Sequence, residues 1–200
     1  MVTLAGAAQA DLISRGNGMI YDTTRNITWL ADMNLNGPMD WIAANAWADN
    51  LVYGGFSDWR LPTLNPDDES CTGFLGVDFD FNCTGGELSG LFVADLGYIT
   101  DEFGLIAGDD TTAQIANLAL FSNVQSDYYW SGTEYAPPSG SALSFSTVSG
   151  RQTHVDKNSR LSAVAVRPGD VPAAVPEPQT LALVLLALGA TVLARRTRSA

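Results

Sequence analysis

The sequence predicts a single α+β domain with few helices, mainly antiparallel strands and many loops, followed by a C-terminal hydrophobic helix. Helical patterns come early in the chain, and a series of short strand-like runs follows them. The 19 glycines, together with 5 Trp, 6 Tyr and 8 Phe, are typical of a compact, loop-rich fold rather than of disorder. The composition then changes near residue 171, where a Pro-rich stretch leads into an apolar run. We therefore divide the chain into residues 1–10, 11–170, 171–178 and 179–200.

The first elements are a hairpin and a helix. Residues 18–22 and 26–30 are short apolar-rich runs that a turn joins, which predicts a β-hairpin. Pro38 is predicted to open a helix that has Asp40 in its first turn and that ends at Gly54-Gly55. The predicted apolar face of this helix comprises Trp41, Ala44, Ala48 and Leu51.

The remaining elements are a second helix and four strands. After a long acidic loop over residues 65–86, a second helix is predicted over 87–96. Residues 111–121 have helical content that gives way in part to loop. The predicted strands cover residues 128–131, 142–145, 151–154 and 163–167.

Cys71 and Cys83 are the two cysteines of the chain, and we predict a disulfide between them. An even count of cysteines in an exported protein favours a bridge. Closing a loop of this length stabilises a fold by about 3 kcal/mol in the chain-entropy model. The alternative is a catalytic or metal-binding pair. A single histidine and the lack of a C-x-x-C motif give that alternative little support.

The charge balance excludes one class of partner. Residues 11–170 carry 21 acids and 7 bases, a net charge of −14. Such a surface repels the phosphates of nucleic acids and anionic lipids, so nucleic-acid binding is not expected. Cations and neutral sugars fit this charge better.

No catalytic residue is predicted. His154 is the one imidazole, and no G-x-S-x-G motif accompanies it. We interpret it as an exposed histidine on a strand. No Gly-rich phosphate-binding pattern is present either.

Residues 78–82 form a candidate calcium loop, although no cofactor is required by the rest of the sequence. Asp78, Asp80 and Asn82 alternate oxygen ligands with phenylalanines, and calcium takes six to eight oxygens from such loops. The spacing departs from an EF-hand. The same alternation also suits a strand with Phe79 and Phe81 pointing inward and the acids outward.

Aromatic and acidic residues in and just after the predicted strand 128–131 form a candidate sugar-binding surface. Exposed rings stack on sugars, and nearby carboxylates bind hydroxyl groups. The alternative is that the rings belong to the core, as aromatic residues often do. The candidate residues are Tyr128, Tyr129, Trp130, Glu134 and Tyr135.

The end of the chain has the layout of a membrane-held tail. Residues 181–194 carry no charge. As a helix they would span roughly 21 Å, short of the roughly 30 Å of a bilayer core. Arg195 and Arg196 follow, with Arg198 close behind, and the positive-inside rule places them on the cytoplasmic side.

A short motif precedes the apolar run, and its prolines keep it extended. With Pro176, Glu177 and Pro178 in this position, the tail resembles the PEP-CTERM sorting signal of Gram-negative bacteria. The resemblance covers about the last 25 residues, and all three parts of the signal occur in order. It implies cleavage by an exosortase-type membrane protease, in systems that co-occur with extracellular polysaccharide production. The alternative is a simple C-terminal anchor that the mature protein keeps.

The N-terminus agrees with export. Ala8-Gln9-Ala10 forms a signal-peptidase pattern before Asp11. Residues 1–10 lack a basic n-region and a full apolar h-region. We interpret them as the remnant of a signal peptide whose true start codon lies upstream. An ordinary flexible N-terminus is the alternative.

Three ordered motifs, at residues 58–63, 129–134 and 163–169, resemble the Lcl C-terminal domain family, long regarded as of unknown function. The resemblance covers about residues 20–170. The family is similar to C-type-lectin-like folds, including the formylglycine-generating enzyme branch. This implies a mixed, loop-rich fold with the N- and C-terminal strands close together, in an extracellular module implicated in adhesion. It implies no catalytic residue, because none is established for the family.

The same motifs also predict structural contacts. Trp59 is expected to bury its ring, while Arg60 pairs with Asp58 or a nearby acid. Arg167, at the end of the closing apolar run, is a candidate for a second ion pair.

Together these observations predict an exported, exosortase-processed protein of the cell surface or extracellular matrix of a Gram-negative bacterium. Its domain is expected to be non-enzymatic and to act in binding or adhesion, with polysaccharide as the candidate ligand. The inner membrane would hold the chain transiently through residues 181–194. Two alternatives remain open: a structural matrix component without a defined ligand, and an uncharacterised enzyme of the formylglycine-generating-like fold.

Overall fold

Two antiparallel sheets organise the computed structural model, which describes residues 12–74, 80–99, 111–135 and 140–172. The strands in these ranges are β1 Leu12–Gly16, β2 Met19–Asp22, β3 Ile27–Leu30, β4 Gly73–Phe74, β5 Asp80–Phe81, β6 Tyr128–Glu134, β7 Ser141–Ser146, β8 Arg151–Asp156 and β9 Val166–Pro168. The first sheet has four of them in the order β1-β2-β3-β9, and the second has five in the order β4-β5-β8-β7-β6. The fold is therefore a mixed one with antiparallel sheets, as predicted.

The helices are short. They are α1 Trp41–Asp49, α2 Glu87–Gly90 and α3 Thr112–Leu118, and a π-helical turn, Leu91–Asp95, continues α2. Within the described ranges, no helix has the length and apolarity that a membrane crossing requires.

The predicted hairpin is confirmed, since β2 pairs with β3 from Met19↔Leu30 to Asp22↔Ile27. Strand β1 pairs with β2 and was not predicted, because its sequence alternates weakly. The last strand, β9, pairs with β3 in the same sheet. The first and last described strands, β1 and β9, therefore belong to one sheet and form its two edges.

Helix α1 begins later and ends earlier than the sequence predicts. Met39 exchanges backbone hydrogen bonds with Leu161, which keeps the chain extended after Pro38. Asp40 is then the N-cap, and its carboxylate accepts from the amide of Ala43 at 2.8 Å. The helix ends at Asp49, ahead of the predicted stop at Gly54-Gly55.

The later elements follow the sequence closely. The second predicted helix, 87–96, is α2 with its π-helical turn, and α3 forms within the predicted 111–121. The strands near residues 128, 142 and 151 form and extend further than predicted. The predicted strand over 163–167 is shorter, since β9 begins only at Val166.

The core lies where the two sheets meet the π-helical turn. Phe92, from that turn, stacks on Phe145 of β7 with ring centroids 5.0 Å apart and also contacts Tyr129 of β6 at 5.3 Å. Trp29 of β3 and Trp130 of β6 are fully buried nearby in the same cluster. Burial of such large rings contributes the main favourable term to folding.

Candidate functional site

Two of the predicted sugar-binding residues belong to the core. Tyr129 and Trp130 are 0% exposed, so their rings do not reach the surface. The Trp130 indole donates to the carbonyl of Met39 at 2.9 Å. The Tyr129 hydroxyl accepts from the amide of Gln125 at 2.7 Å, and burial raises its pKa to about 12. The two rings are therefore core residues, as in the alternative interpretation of this segment.

The other three candidates lie nearer the surface and have separate partners. Tyr128 accepts at its hydroxyl from Arg151 at 2.7 Å. Glu134, which is exposed, forms an ion pair with Lys157. Tyr135 is half-buried and stacks on His154, with ring centroids 4.4 Å apart and an interplanar angle of 14°. Of these three residues, Tyr135 alone lines the pocket described next.

The Tyr135–His154 pair forms one wall of a pocket on the five-stranded sheet, lined by residues of its three inner strands, β5, β8 and β7. The volume of the pocket that is open to the centres of water-sized groups is about 50 Å³. Because one water needs roughly 10–15 Å³ of such volume, the pocket holds a few groups of that size. It is lined by Pro66, Asp80, Tyr135, Leu143, Gln152, Thr153 and His154.

Strand register explains why these residues meet. Asp80 on β5 lies directly opposite Gln152 on β8, and Leu143 on β7 lies opposite His154. Gln152 and His154 are two residues apart on one strand, so their side chains share a face. Tyr135 follows the end of β6, and its backbone amide donates to Ser141 at 3.1 Å.

Gln152 is held in the pocket with one polar atom unsatisfied. It is 4% exposed, and its Nε2 donates to the carbonyl of Asn65 at 2.9 Å. Its Oε1 has no hydrogen-bond partner among the residues that the structure describes. A buried acceptor in that state costs about 1–3 kcal/mol, which a ligand donor would recover.

Asp80 supplies the charge in the pocket. Burial raises the pKa of its carboxyl and the nearby Asp68 adds to this effect, against a hydrogen bond from Gln152 that lowers it. In the described ranges, none of the ion pairs includes Asp80. Its negative charge is therefore weakly compensated.

The predicted calcium loop lies only partly within the described residues. Asp78 falls outside them. Asn82 has a left-handed backbone with φ of 54° and does not line the pocket with Asp80. Phe81 is 6% exposed, so the part of this segment that is described follows the alternating strand interpretation.

The predicted disulfide between Cys71 and Cys83 is present. Asp68 lies with the two sulfurs within 4.8 Å, but both sulfurs are bonded to each other and offer no thiolate to a metal. The Asp68 carboxylate instead accepts from the amides of Ser70 and Gly85 at 3.0 and 2.7 Å. The Asp68 carboxylate therefore has a structural role, since it joins two parts of the segment that the disulfide closes.

The motif residues have structural roles. Trp59 is 2% exposed, which confirms its predicted burial. Arg60 pairs in a bidentate manner with Glu87, at 2.6 and 2.7 Å, rather than with Asp58. Asp58 instead accepts from Arg167 Nε at 2.8 Å and from Arg167 Nη2 at 2.9 Å. This is the second ion pair that the sequence predicts.

Sequence reasoning missed the convergence at the pocket. His154 is on a strand as predicted, but it is half-buried against Tyr135 rather than exposed. Gln152 was not singled out. The available signal was its spacing of two residues from His154 on a predicted strand, which puts both on one face.

The comparison with protein families concerns the other end of the chain. Residues 174–199 match the PEP-CTERM protein-sorting motif. The predicted tripeptide and the arginines that follow the apolar run fall inside this match, which lies beyond the described residues. The motif supports an exported surface protein that is anchored in the membrane before exosortase processing. No curated protein matches the chain.

Proposed function

We propose that this chain is a non-enzymatic polysaccharide-binding module, which the PEP-CTERM motif delivers to the surface or extracellular matrix of a Gram-negative bacterium. The observation that carries the proposal is the stacked pair Tyr135–His154 at a pocket that contains a carboxylate and an unsatisfied amide oxygen. Exosortase is its partner during processing, and polysaccharide is its partner afterwards.

The pocket has the mix of groups that small-ligand sites use. Such sites combine apolar and aromatic walls with a few polar groups that fix orientation. Here the two rings offer flat apolar area, and Leu143 and Pro66 extend it. Asp80 and Gln152 accept hydrogen bonds, and a sugar carries several donors. Because the pocket is small, it would take one substituent of a sugar whose ring rests on the aromatic pair.

We also propose that the body has the C-type-lectin-like fold that its three motifs suggest. The sheet that β9 shares with β1, β2 and β3 supports this, because the resemblance implies that the two ends of the domain meet. A binding role is favoured over an enzymatic one. Both cysteines of the chain are bridged, which removes the thiol chemistry of the formylglycine-generating branch, and His154 is stacked on a tyrosine.

The test is a glycan-array screen of the full-length chain in detergent micelles, followed by calorimetric titration with the best ligand. Tyr135→Ala is expected to weaken binding by about tenfold or more, because one aromatic stacking partner is lost. Tyr21→Ala is the matched control, since Tyr21 is a half-buried tyrosine on the other sheet. Unchanged binding in Tyr135→Ala, or no saturable binding to any glycan, would overturn the proposal. The latter result would favour a structural matrix component.

A further inference from the structure

Two polar groups of the pocket, the Asp80 carboxylate and Gln152 Oε1, lack respectively a cation and a hydrogen-bond donor among the described residues. What they select from a ligand can be inferred if the pocket binds a sugar, as proposed above. We infer that the pocket at Asp80 and Gln152 recognises the protonated primary amine of an amino sugar in preference to hydroxyl or acetamido groups.

The hydrogen bonds of Gln152 leave one of its polar atoms free for a ligand. Its Nε2 donates to the carbonyl of Asn65 at 2.9 Å, and the same side chain lowers the pKa of Asp80 by hydrogen bonding. Turning the amide over would place Oε1 against those acceptors, so the orientation is fixed by its partners. Gln152 is 4% exposed, and its Oε1 is a buried acceptor with no hydrogen-bond partner among the described residues. A donor on the ligand would satisfy it.

The charge of the pocket also favours an amine. Asp80 has no cationic partner among the described residues, and the chain has a formal net charge of −12. An ammonium group brings three donors, a positive charge and no acceptor. A hydroxyl brings one donor and leaves the carboxylate uncompensated. Hydrogen bonds between charged groups are roughly twice as strong as neutral ones.

The desolvation of Asp80 points the same way. Burial raises the pKa of this carboxyl, which means that its negative charge is disfavoured in the unliganded protein. A bound cation would reverse that effect.

The size and lining of the site are compatible with an amine. About 50 Å³ accommodates an ammonium group and the carbon that carries it. An acetamido group adds a carbonyl oxygen, which is a further acceptor in a site where Asp80 and Gln152 Oε1 already need donors. Tyr135 lines the same pocket, and the face of its ring that is not stacked on His154 attracts cations.

The experiment compares three hexasaccharides by calorimetry on the full-length chain in detergent: β-1,4-linked glucosamine, N-acetylglucosamine and glucose. Each titration is run at 150 mM salt, with calcium and with chelator. A polycationic sugar also attracts any acidic protein, so two variants of equal net charge are compared. Asp80→Asn removes the pocket charge, and Asp49→Asn removes an exposed charge at the end of α1.

The inference predicts tightest binding of the glucosamine hexamer, independent of calcium. Asp80→Asn should weaken it by about tenfold or more, because a charged hydrogen bond is lost. Asp49→Asn should change it less than twofold. Equal binding of all three sugars, or equal losses in the two variants, would overturn the inference and leave the proposed function standing. Binding that chelator abolishes would overturn it in favour of a calcium site. If the array finds another glycan but none of these three sugars binds, the inference is also overturned. An array on which no glycan binds would overturn both the inference and the proposed function.

Discussion

At the scale of single residues, a half-buried arginine lies between two buried carboxylates. Arg25 Nη1 lies 2.6 Å from Asp22 and 2.5 Å from Asp95. The Asp22 carboxylate, which is fully buried, also accepts from the indole of Trp29 at 3.3 Å. Gly90 makes room for this cluster, because a Cβ there would lie 2.3 Å from Arg25 Nη2. One cation thus serves two buried anions.

This imbalance predicts a pH effect. Burial raises the pKa of Asp95 to about 6, despite the opposing effect of Arg25. A carboxyl whose folded pKa exceeds its unfolded value of about 3.9 stabilises the protein below that value and loses the contribution as the pH rises through about 6. The free energy of unfolding of the wild-type protein should therefore fall by on the order of 2 kcal/mol between these pH values, and Asp95→Asn should remove this fall.

Urea unfolding between pH 4 and pH 7 measures this directly. Asp49→Asn, an exposed aspartate on α1, should keep the wild-type pH profile. A profile for Asp95→Asn that parallels the wild type across this window would contradict the assignment.

At the scale of elements, the acidic segment from Asn65 to Gly86, which includes β5, supplies Pro66 and Asp80 to the pocket. The disulfide closes it, and Asp68 holds its far end through the amide of Gly85 at 2.7 Å. Gln152 ties its beginning to β8 through the carbonyl of Asn65. Together these contacts present Asp80 opposite Gln152.

Replacing both cysteines by serine should lower the free energy of unfolding by about 2–4 kcal/mol, because the unfolded chain regains the entropy of the open loop. Guanidinium unfolding of the full-length chain measures the loss. Reducing agent should destabilise the wild-type protein and leave the double variant unaffected. An unfolding midpoint equal to that of the wild type would show that the bridge contributes nothing.

The sequence predicts the elements of this fold better than it predicts their meeting points. The hairpin of β2 and β3 is local, so turn and periodicity suffice to predict it. The pocket depends on pairings such as Asp80↔Gln152, which join residues 72 positions apart. Asp80, Tyr135 and His154 each drew attention separately, but no local pattern states that they share a wall. Likewise, Arg60 pairs with Glu87 because α2 packs beside it, which a motif at residues 58–63 does not encode.

At the scale of the whole molecule, the acidic body and the basic tail end suit opposite sides of a membrane. The body carries a net charge of −14 over residues 11–170, whereas residues 195–198 carry three arginines. The PEP-CTERM motif follows the described domain and includes that basic end. Cleavage there would release the domain and its pocket to the exterior.

The central claim is that this tail is removed on the way to the surface. The most direct measurement is mass spectrometry of C-terminal peptides from the extracellular protein, in a Gram-negative host with and without its exosortase. We expect the mature protein to lack residues 181–200 only when the exosortase is present. Changing Pro176, Glu177 and Pro178 to alanine should retain those residues and leave the chain in the membrane. A surface protein that keeps the intact tail in the presence of exosortase would contradict the account.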